Sequence, residues 1–309
     1  MEKRTFSLVG WGLAVGIVGS YLAQYVVGFF VGIFLSFTGP VMLDSPAFWA
    51  VFYLGIYCVI YGVGILSVWL FTMKLPSTTP RWNPMSIEKS LLLIVVVFVI
   101  GMGAADILDS IGRSVHNSFY FILHRDYEDV LGESFSMIPQ WVLFLITCVF
   151  APVCEELIYR KFVIDKLRPF GDKVAILYSG LAFGLFHLNF QQFFYTAVLG
   201  MLWAYVYLKT NKIWHVMLLH SLMNFFGGML FSINNAFFGY ENAAVMYYGI
   251  TLAFWIVGGC LAVSLRKKVS LTKPTQLSVP INGKLVVNNA GTIVFIACCG
   301  ALFAWNLIQ

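Results

Sequence analysis

The sequence predicts an all-α protein, a polytopic membrane bundle of eight to nine transmembrane helices with its N-terminus in the cytoplasm. Three observations predict this fold: the composition, a series of long apolar segments, and the placement of lysine and arginine. Of the 309 residues, 60% are hydrophobic and 11% are charged, and the mean hydropathy is +0.84. Soluble globular domains have about 25% charged residues. The composition therefore excludes an ordinary soluble domain.

Nine apolar segments are candidate membrane helices, because a helix needs roughly 20 apolar residues to cross a bilayer. They lie at 6–37, 48–73, 90–108, 138–167, 173–188, 191–208, 213–233, 245–265 and 291–308. The fifth, sixth and ninth are the shortest, so the count of spanning helices depends on them. The first segment follows the charged stretch MEKR and is longer than a signal-peptide core. We expect it to remain as an anchor.

The positions of lysine and arginine predict the orientation. If the N-terminus is cytoplasmic and the helices alternate, the inner segments hold sixteen of these residues. The outer segments hold Arg113 and Arg125, and Arg160 lies within a helix. This is the asymmetry of the positive-inside rule. Basic loops facing anionic lipid also account for the net charge of +5. We expect membrane lipid and no nucleic acid as a partner.

Two segments interrupt the series of apolar helices. Residues 109–137 are expected to form an outer loop with a short interfacial helix, because charged residues alternate there with FYFIL. Residues 266–290 form a basic inner stretch before the ninth helix, which is expected to be a peripheral addition. The chain thus divides into 1–137 with the N-terminal helices and outer loop, 138–233 with most of the intramembrane polar residues, and 234–309 with the C-terminal helices.

Polar residues inside the apolar segments of 138–233 mark a candidate site, since ionisable groups in a membrane helix are costly and usually functional. They stand in CEELIYR, FGLFH and HSLMN: Glu155, Glu156 and Arg160 on the fourth helix, His187 on the fifth, and His220 and Asn224 on the seventh. Helical rise places Glu155, His187, His220 and Asn224 at a similar depth, about 12–21 Å from the inner loops. We therefore expect one shared intramembrane site.

Helical spacing predicts different roles for the two neighbouring carboxylates. Glu156 and Arg160 are four residues apart, which favours an ion pair on one face of the helix. Glu155 lies about 100° around the helix from Glu156 and faces elsewhere. Other residues have structural interpretations. We expect interhelical hydrogen bonds from His215, close helix packing at two glycines in 173–188, and a kink at Pro152 that frees the carbonyl near Cys148.

The chemistry of these groups favours amide hydrolysis. A carboxylate with a nearby imidazole can activate water, and a second imidazole with an amide can stabilise an oxyanion. The main prediction needs no cofactor. A zinc site is the alternative, with Glu155, His187 and His220 as ligands and an open water position, although the chain lacks an HExxH helix. The same residues would also suit a proton- or ion-coupled carrier, or a non-catalytic immunity or binding protein.

The motifs EExxxR, FxxxH and HxxxN, in this order over residues 138–233, resemble the CPBP family of intramembrane proteases. This family includes type II CAAX prenyl endopeptidases and the bacterial Abi and bacteriocin self-immunity proteins. The resemblance implies that Glu155 and His187 activate water and that His220 and Asn224 stabilise the oxyanion. It implies that Glu156 and Arg160 support the site.

The resemblance also bears on the substrate and the location. Eukaryotic members remove the last three residues of prenylated proteins, whereas many bacterial members have no prenylated target. The resemblance therefore implies a hydrophobic or lipidated peptide or protein substrate. Short inner loops and the absence of an N-glycosylation sequon favour a bacterial plasma membrane. The oligomeric state is left open by the sequence.

Overall fold

The computed structural model describes residues 2–39, 45–76, 85–124, 138–274 and 283–308. Within these residues the regular structure is entirely helical, which confirms the predicted all-α fold. The helices, in chain order, are α1 Glu2–Thr38, α2 Pro46–Thr72, α3 Ile87–Ile122, α4 Gln140–Phe170, α5 Asp172–Phe186, α6 Phe190–Thr210, α7 Ile213–Phe238, α8 Tyr240–Leu265, the short α9 Gly283–Val287, and α10 Ala290–Ile308.

Seven of the described helices are long and apolar enough to cross a membrane: α1 to α4, α7, α8 and α10. The protein is therefore a multi-pass membrane protein, as predicted. α5 falls short because its 15 residues span about 22 Å, whereas the hydrocarbon core is about 30 Å thick. α4 is the central helix. In its most apolar window 56% of the residues are buried, against 6–28% in the other six.

Local sequence signals set several helix ends. Ser45 caps α2 by accepting a hydrogen bond from the backbone N–H of Phe48, and Pro46 follows at the first helical position. Asn189 caps α6 in the same way, accepting from the N–H of Gln192 at 2.8 Å. α6 ends at Asn211, which has the left-handed conformation that asparagine tolerates well.

The third helix is longer than the sequence predicted. It was expected to end at residue 108 and instead continues to Ile122, so the first half of the expected outer loop is helical. The continuation is stabilised by an i,i+4 ion pair in which Arg113 Nε lies 2.7 Å from Asp109 Oδ2. The prediction was wrong because those charges pair along a helix. The rest of that loop, 125–137, lies outside the described residues.

The helix ends predicted to face the cytoplasm lie together. Lys166 Nζ donates to the carbonyl of Leu75 at 2.8 Å, joining α4 to the end of α2. Arg168 donates to the carbonyl of Leu208 at 2.9 Å, joining α4 to the end of α6. The backbone N–H of Asp172 donates to the carbonyl of Thr272 at 3.1 Å. These contacts agree with the predicted alternation of helix directions.

α5 and α6 pack closely through small residues, as the two glycines of the fifth apolar segment predicted. A Cβ atom added at Gly184 would lie 2.7 Å from Cβ of Ala197. One added at Gly180 would lie 2.9 Å from the carbonyl oxygen of the same alanine. Contacts below 3.0 Å cannot be accommodated without a shift. The glycines therefore hold the helix of His187 against its neighbour.

α10 is part of the core, although the sequence analysis expected a peripheral addition. Gly291 of α10 lies against the backbone of α1 so closely that any side chain there would overlap Ser7. Phe295 and Cys299 are buried in the main hydrophobic cluster. Asn306 donates to the carbonyl of Leu188 at 3.1 Å, at the end of α5. The expectation was wrong because hydropathy does not show which face of a helix is packed.

Candidate active site

α4 carries both carboxylates in a short α-helical segment, Ala151–Glu156, between two π-helical segments. The π-helical segments are Leu145–Phe150 and Leu157–Ile164. π-Helical turns are rare in proteins and occur frequently at functional sites. A third one, Phe225–Met229, directly follows Asn224 on α7. The irregular backbone thus coincides with the predicted site residues.

Pro152 and the first π-helical segment together release one backbone carbonyl. The N–H of Ala151 bonds to the carbonyl of Ile146, five residues back, so it does not occupy the carbonyl of Thr147. The residue five positions after Thr147 is Pro152, which has no N–H. Asn224 Nδ2 donates to this carbonyl at 2.8 Å. The freed carbonyl is therefore that of Thr147, one residue before the predicted position.

Glu156 lies at the centre of a fully buried charge network. Its Oε2 is 2.8 Å from Arg160 Nε, which confirms the predicted ion pair, and both side chains are 0% exposed. Its Oε1 accepts a hydrogen bond from Nδ1 of His220 at 3.0 Å. Burying an unpaired charge is costly, so the two partners make this carboxylate tolerable inside the bundle.

Arg160 is held by charge and by aromatic faces. Among the described residues, no group is placed to form a hydrogen bond with its guanidinium nitrogens. The contact with Glu156 is an ion pair in which the N–H is not aligned with the carboxylate oxygen as in a hydrogen bond. The guanidinium carbon lies 5.1 Å from the ring centre of Phe183 and 5.6 Å from that of Trp203. These are cation–π distances. Arg160 thus joins α4 to α5 and α6.

Glu155 faces a different side of α4, as its helical offset from Glu156 predicted. Its Oε1 accepts a hydrogen bond from the hydroxyl of Tyr61 on α2 at 2.6 Å. Its Oε2 lies 3.7 Å from Nε2 of His220. One oxygen is therefore firmly bound, and the other faces an imidazole beyond direct hydrogen-bond distance.

His220 lies between the two carboxylates in a fixed orientation. Its ring stacks on the indole of Trp203 with centres 4.0 Å apart and planes inclined by 30°. Trp203 is itself held by a hydrogen bond from Nε1 to the sulfur of Met223 at 3.3 Å. Because Nδ1 of His220 donates to Glu156, Nε2 is the ring nitrogen that faces Glu155.

His187 ends α5 with a defined tautomer. Its Nδ1 donates to the carbonyl of Phe183 at 2.9 Å, which leaves Nε2 as the acceptor in the neutral ring. The next residue, Leu188, has a positive φ of 56°, and Asn189 donates to the carbonyl of His187 at 2.7 Å. Two hydrogen bonds thus fix the turn that carries His187. The side chain is half-buried.

The structure brings most of the predicted residues into one network. Glu156 contacts both Arg160 and His220, and His220 lies 3.7 Å from Glu155. Asn224 is bound to the backbone of α4. His187 joins them through Phe183, whose ring centre lies 4.9 Å from that of His187 and 5.8 Å from that of His220. In the described part of the chain no hydrogen bond joins His187 to Glu155. Their pairing remains a prediction.

The sequence motifs do not include two residues of the network, Trp203 and Tyr61. Trp203 lies in an apolar helix, and no sequence pattern there distinguishes it from a tryptophan of the hydrophobic core. Tyr61 has a weak signal, because Tyr53, Tyr57 and Tyr61 recur every four residues on one face of α2. A buried phenol needs a hydrogen-bond partner, so this repeat could have indicated a polar neighbour.

The alternative zinc set does not have the required geometry. Among the described residues, no three histidine, cysteine, aspartate or glutamate side chains are placed to hold a metal ion. Nδ1 of His220 is bound to Glu156, and its Nε2 lies 3.7 Å from Oε2 of Glu155, so these two groups alone could share one ion. A zinc site would also need His187 beside this pair, and the described residues do not place a third ligand there.

His215 does not make the interhelical hydrogen bond that was expected. It is fully buried at the start of α7, and neither ring nitrogen has a hydrogen-bond partner among the described residues. Its ring instead packs on the neighbouring Trp214, with centres 3.9 Å apart. His215 thus lies apart from the network around Glu156.

Fold and site together define a class: helical membrane proteins with a buried network of two glutamates, an arginine and histidines. Residues 137–226 match the family model for type II CAAX prenyl endopeptidase Rce1-like proteins. The matched segment contains the three motifs EExxxR, FxxxH and HxxxN, on which the resemblance to intramembrane proteases rests. No solved structure matches the chain.

Two curated relatives are similar to a larger part of the chain. The "Putative membrane peptidase YdiL" of Bacillus subtilis is 25% identical over 180 residues, which cover 56% of this chain and 70% of the relative. The "UPF0177 protein YxdF" of Lactococcus lactis subsp. lactis is 29% identical over 111 residues. That match covers 36% of this chain and 59% of the relative. At the level of the family, the comparisons support an intramembrane protease.

Proposed function

We propose that the protein is an intramembrane endopeptidase that hydrolyses a peptide bond in a hydrophobic or lipid-anchored peptide. One observation carries the proposal: two adjacent carboxylates have opposite surroundings. Glu156 is neutralised by Arg160 and bound by His220, whereas Glu155 keeps one oxygen without a direct hydrogen bond among the described residues. A structural ion pair beside a carboxylate that lies outside that pair is an arrangement suited to water activation.

In the proposed reaction, Oε2 of Glu155 takes a proton from water as the oxygen attacks the scissile carbonyl. The carbonyl becomes a tetrahedral oxyanion, which accepts hydrogen bonds from Nε2–H of His220 and from the amide of Asn224. Donation from Nε2 requires the imidazolium form of His220 from the start of the reaction, with the ring between the two carboxylates and Nδ1–H bound to Glu156. When the C–N bond breaks, the proton on Glu155 passes to the leaving amine. His187 is assigned to orienting the water through its Nε2.

The positions of the donors support these roles. Asn224 has two N–H groups on Nδ2, and its contact with the carbonyl of Thr147 fixes the amide while leaving the second N–H for a substrate. Trp203 prevents the ring of His220 from turning. Donors that are oriented before the reaction stabilise a developing charge most effectively.

The test uses the full chain in lipid nanodiscs with two internally quenched hydrophobic peptides, one carrying a farnesylated cysteine near its C-terminus. Cleavage by the native protein and none by Glu155→Gln is expected. The two peptides separate a requirement for prenylation from simple hydrophobicity. In parallel, new peptide termini are compared between membranes of cells with the native protein and with Glu155→Gln. Equal termini in both cells would contradict the proposal, as would uptake of an ion by liposomes that depends on Glu155.

A further inference from the structure

We propose that Tyr61 is a positioning residue that fixes the Glu155 carboxylate and thereby selects Oε2 as the oxygen that accepts the proton from water. The inference rests on the proposed function, because it takes Glu155 as the base. It extends the site to α2, which lies outside the matched segment 137–226.

The contact between the two side chains is short and buried. The hydroxyl of Tyr61 donates to Oε1 of Glu155 at 2.6 Å, and each residue is 6% exposed. An O–H donor bound to a carboxylate at 2.5–2.7 Å is a charge-assisted hydrogen bond, about twice as strong as a neutral one. Among the described residues, no other hydrogen bond reaches the carboxylate of Glu155.

Without that bond the carboxylate could turn. A glutamate side chain has three rotatable bonds, and Nε2 of His220 is 3.7 Å away, too far to hold the second oxygen. With Oε1 bound by Tyr61, Oε2 is the oxygen directed towards His220. The proposed water and the proposed oxyanion donor then meet on the same side of the carboxylate, as the reaction requires.

Tyr61 can act in this way because its own ring is fixed. The ring lies 6.2 Å from that of Tyr57 on the same helix and 5.8 Å from that of Phe150 on α4. It belongs to a small buried cluster with Ala151 and Cys154, the residues around the first turn of the motif segment. α2 therefore holds the motif helix both by packing and by one hydrogen bond to the reacting side chain.

The experiment compares Tyr61→Phe with Tyr57→Phe in the full chain. Both variants remove one hydroxyl from the same face of α2, one helical turn apart, and only the first removes the bond to Glu155. With the farnesylated peptide in nanodiscs, Tyr61→Phe should lower kcat about 10- to 100-fold while KM changes less than about twofold, because the base is misplaced and substrate contacts are not. Tyr57→Phe should retain the native kcat.

A spectroscopic measurement separates positioning from general packing. Difference infrared spectra between the native protein and Glu155→Gln, both with ¹³C-labelled glutamate, isolate the carboxylate band of Glu155. Tyr61→Phe should shift this band and Tyr57→Phe should leave it unchanged. This measurement needs no substrate.

The outcomes distinguish this inference from the proposed function. A native kcat and an unshifted band in Tyr61→Phe would overturn the positioning role. The same would follow if Tyr57→Phe lost as much activity as Tyr61→Phe. If Glu155→Gln cleaved peptides as fast as the native protein, the proposed function would fail instead, and with it the role of base that Tyr61 serves.

Discussion

Replacing Glu156 by glutamine should destabilise the protein severely, and the structure gives the size of the effect. Both Glu156 and Arg160 are 0% exposed, and the substitution leaves the guanidinium charge buried without a counter-ion. Removing one member of a buried ion pair costs about 3–5 kcal/mol. The glutamine carbonyl can still accept from His220, so the loss arises mainly from the charge. The folding equilibrium should fall roughly 10²- to 4 × 10³-fold.

The matched comparison is Glu155→Gln, which makes the same chemical change one residue earlier. A glutamine there can still accept the hydroxyl of Tyr61, so its stability should stay within about 1 kcal/mol of the native value. Its turnover should fall about 10²- to 10⁴-fold, the usual contribution of a general base. Reversible unfolding in mixed micelles measures the stabilities, and peptide cleavage in nanodiscs measures turnover.

A third variant tests whether the buried charge is the cause. Adding Arg160→Met to Glu156→Gln removes the unpaired guanidinium, and buried ion pairs can often be replaced by apolar residues at little cost. The double variant should recover most of the lost stability. A Glu156→Gln protein as stable as the native one would refute the reasoning. If it were stable and inactive while Glu155→Gln remained active, the two carboxylates would have exchanged roles.

Three other predictions follow from the backbone, the orientation and the metal-free mechanism. Pro152→Ala restores an N–H that competes with Asn224 for the carbonyl of Thr147, so kcat should fall roughly 2- to 10-fold with the fold retained. An unchanged kcat would show that Pro152 does not affect the site through Asn224. In a variant without native cysteines, Glu241→Cys should react with an impermeant thiol reagent added outside cells, and Lys267→Cys should not. Labelling at position 267 would contradict the predicted cytoplasmic location of the N-terminus. The purified protein should carry far less than one zinc ion per chain and should keep its activity when chelators are added. If the protein carries one zinc ion per chain and needs it for activity, the zinc site formed by Glu155, His187 and His220 would be favoured instead.

The sequence predicted the parts of the site that depend on one helix at a time. The pair of Glu156 and Arg160 follows from i,i+4 spacing, and the divergence of Glu155 follows from the helical angle. Tyr61 and Trp203 could not be predicted in this way, because their contacts cross from α2 and α6 to other helices. Hydropathy identifies a membrane helix but not its neighbours.

The same limit explains the two errors in the fold. α3 was predicted too short because charges such as Asp109 and Arg113 favour a loop when they are counted singly, whereas here they pair along the helix. α10 was predicted to be peripheral because it follows a basic stretch and lies outside the motif region. Its packing on α1 depends on Gly10 and Gly291, whose importance appears only when the two helices are placed together.

Pro152 shows how a backbone irregularity and the side chains of the site form one arrangement. In a regular helix the carbonyl of Thr147 would accept from residue 151, and in a continued π-helix it would accept from residue 152. The first N–H is bound to residue 146, and the second does not exist. The carbonyl is left for Asn224, which draws α7 against the segment that carries Glu155 and Glu156. The proline thus leaves a backbone acceptor for Asn224, one of the two proposed oxyanion donors, on the helix that carries the proposed base.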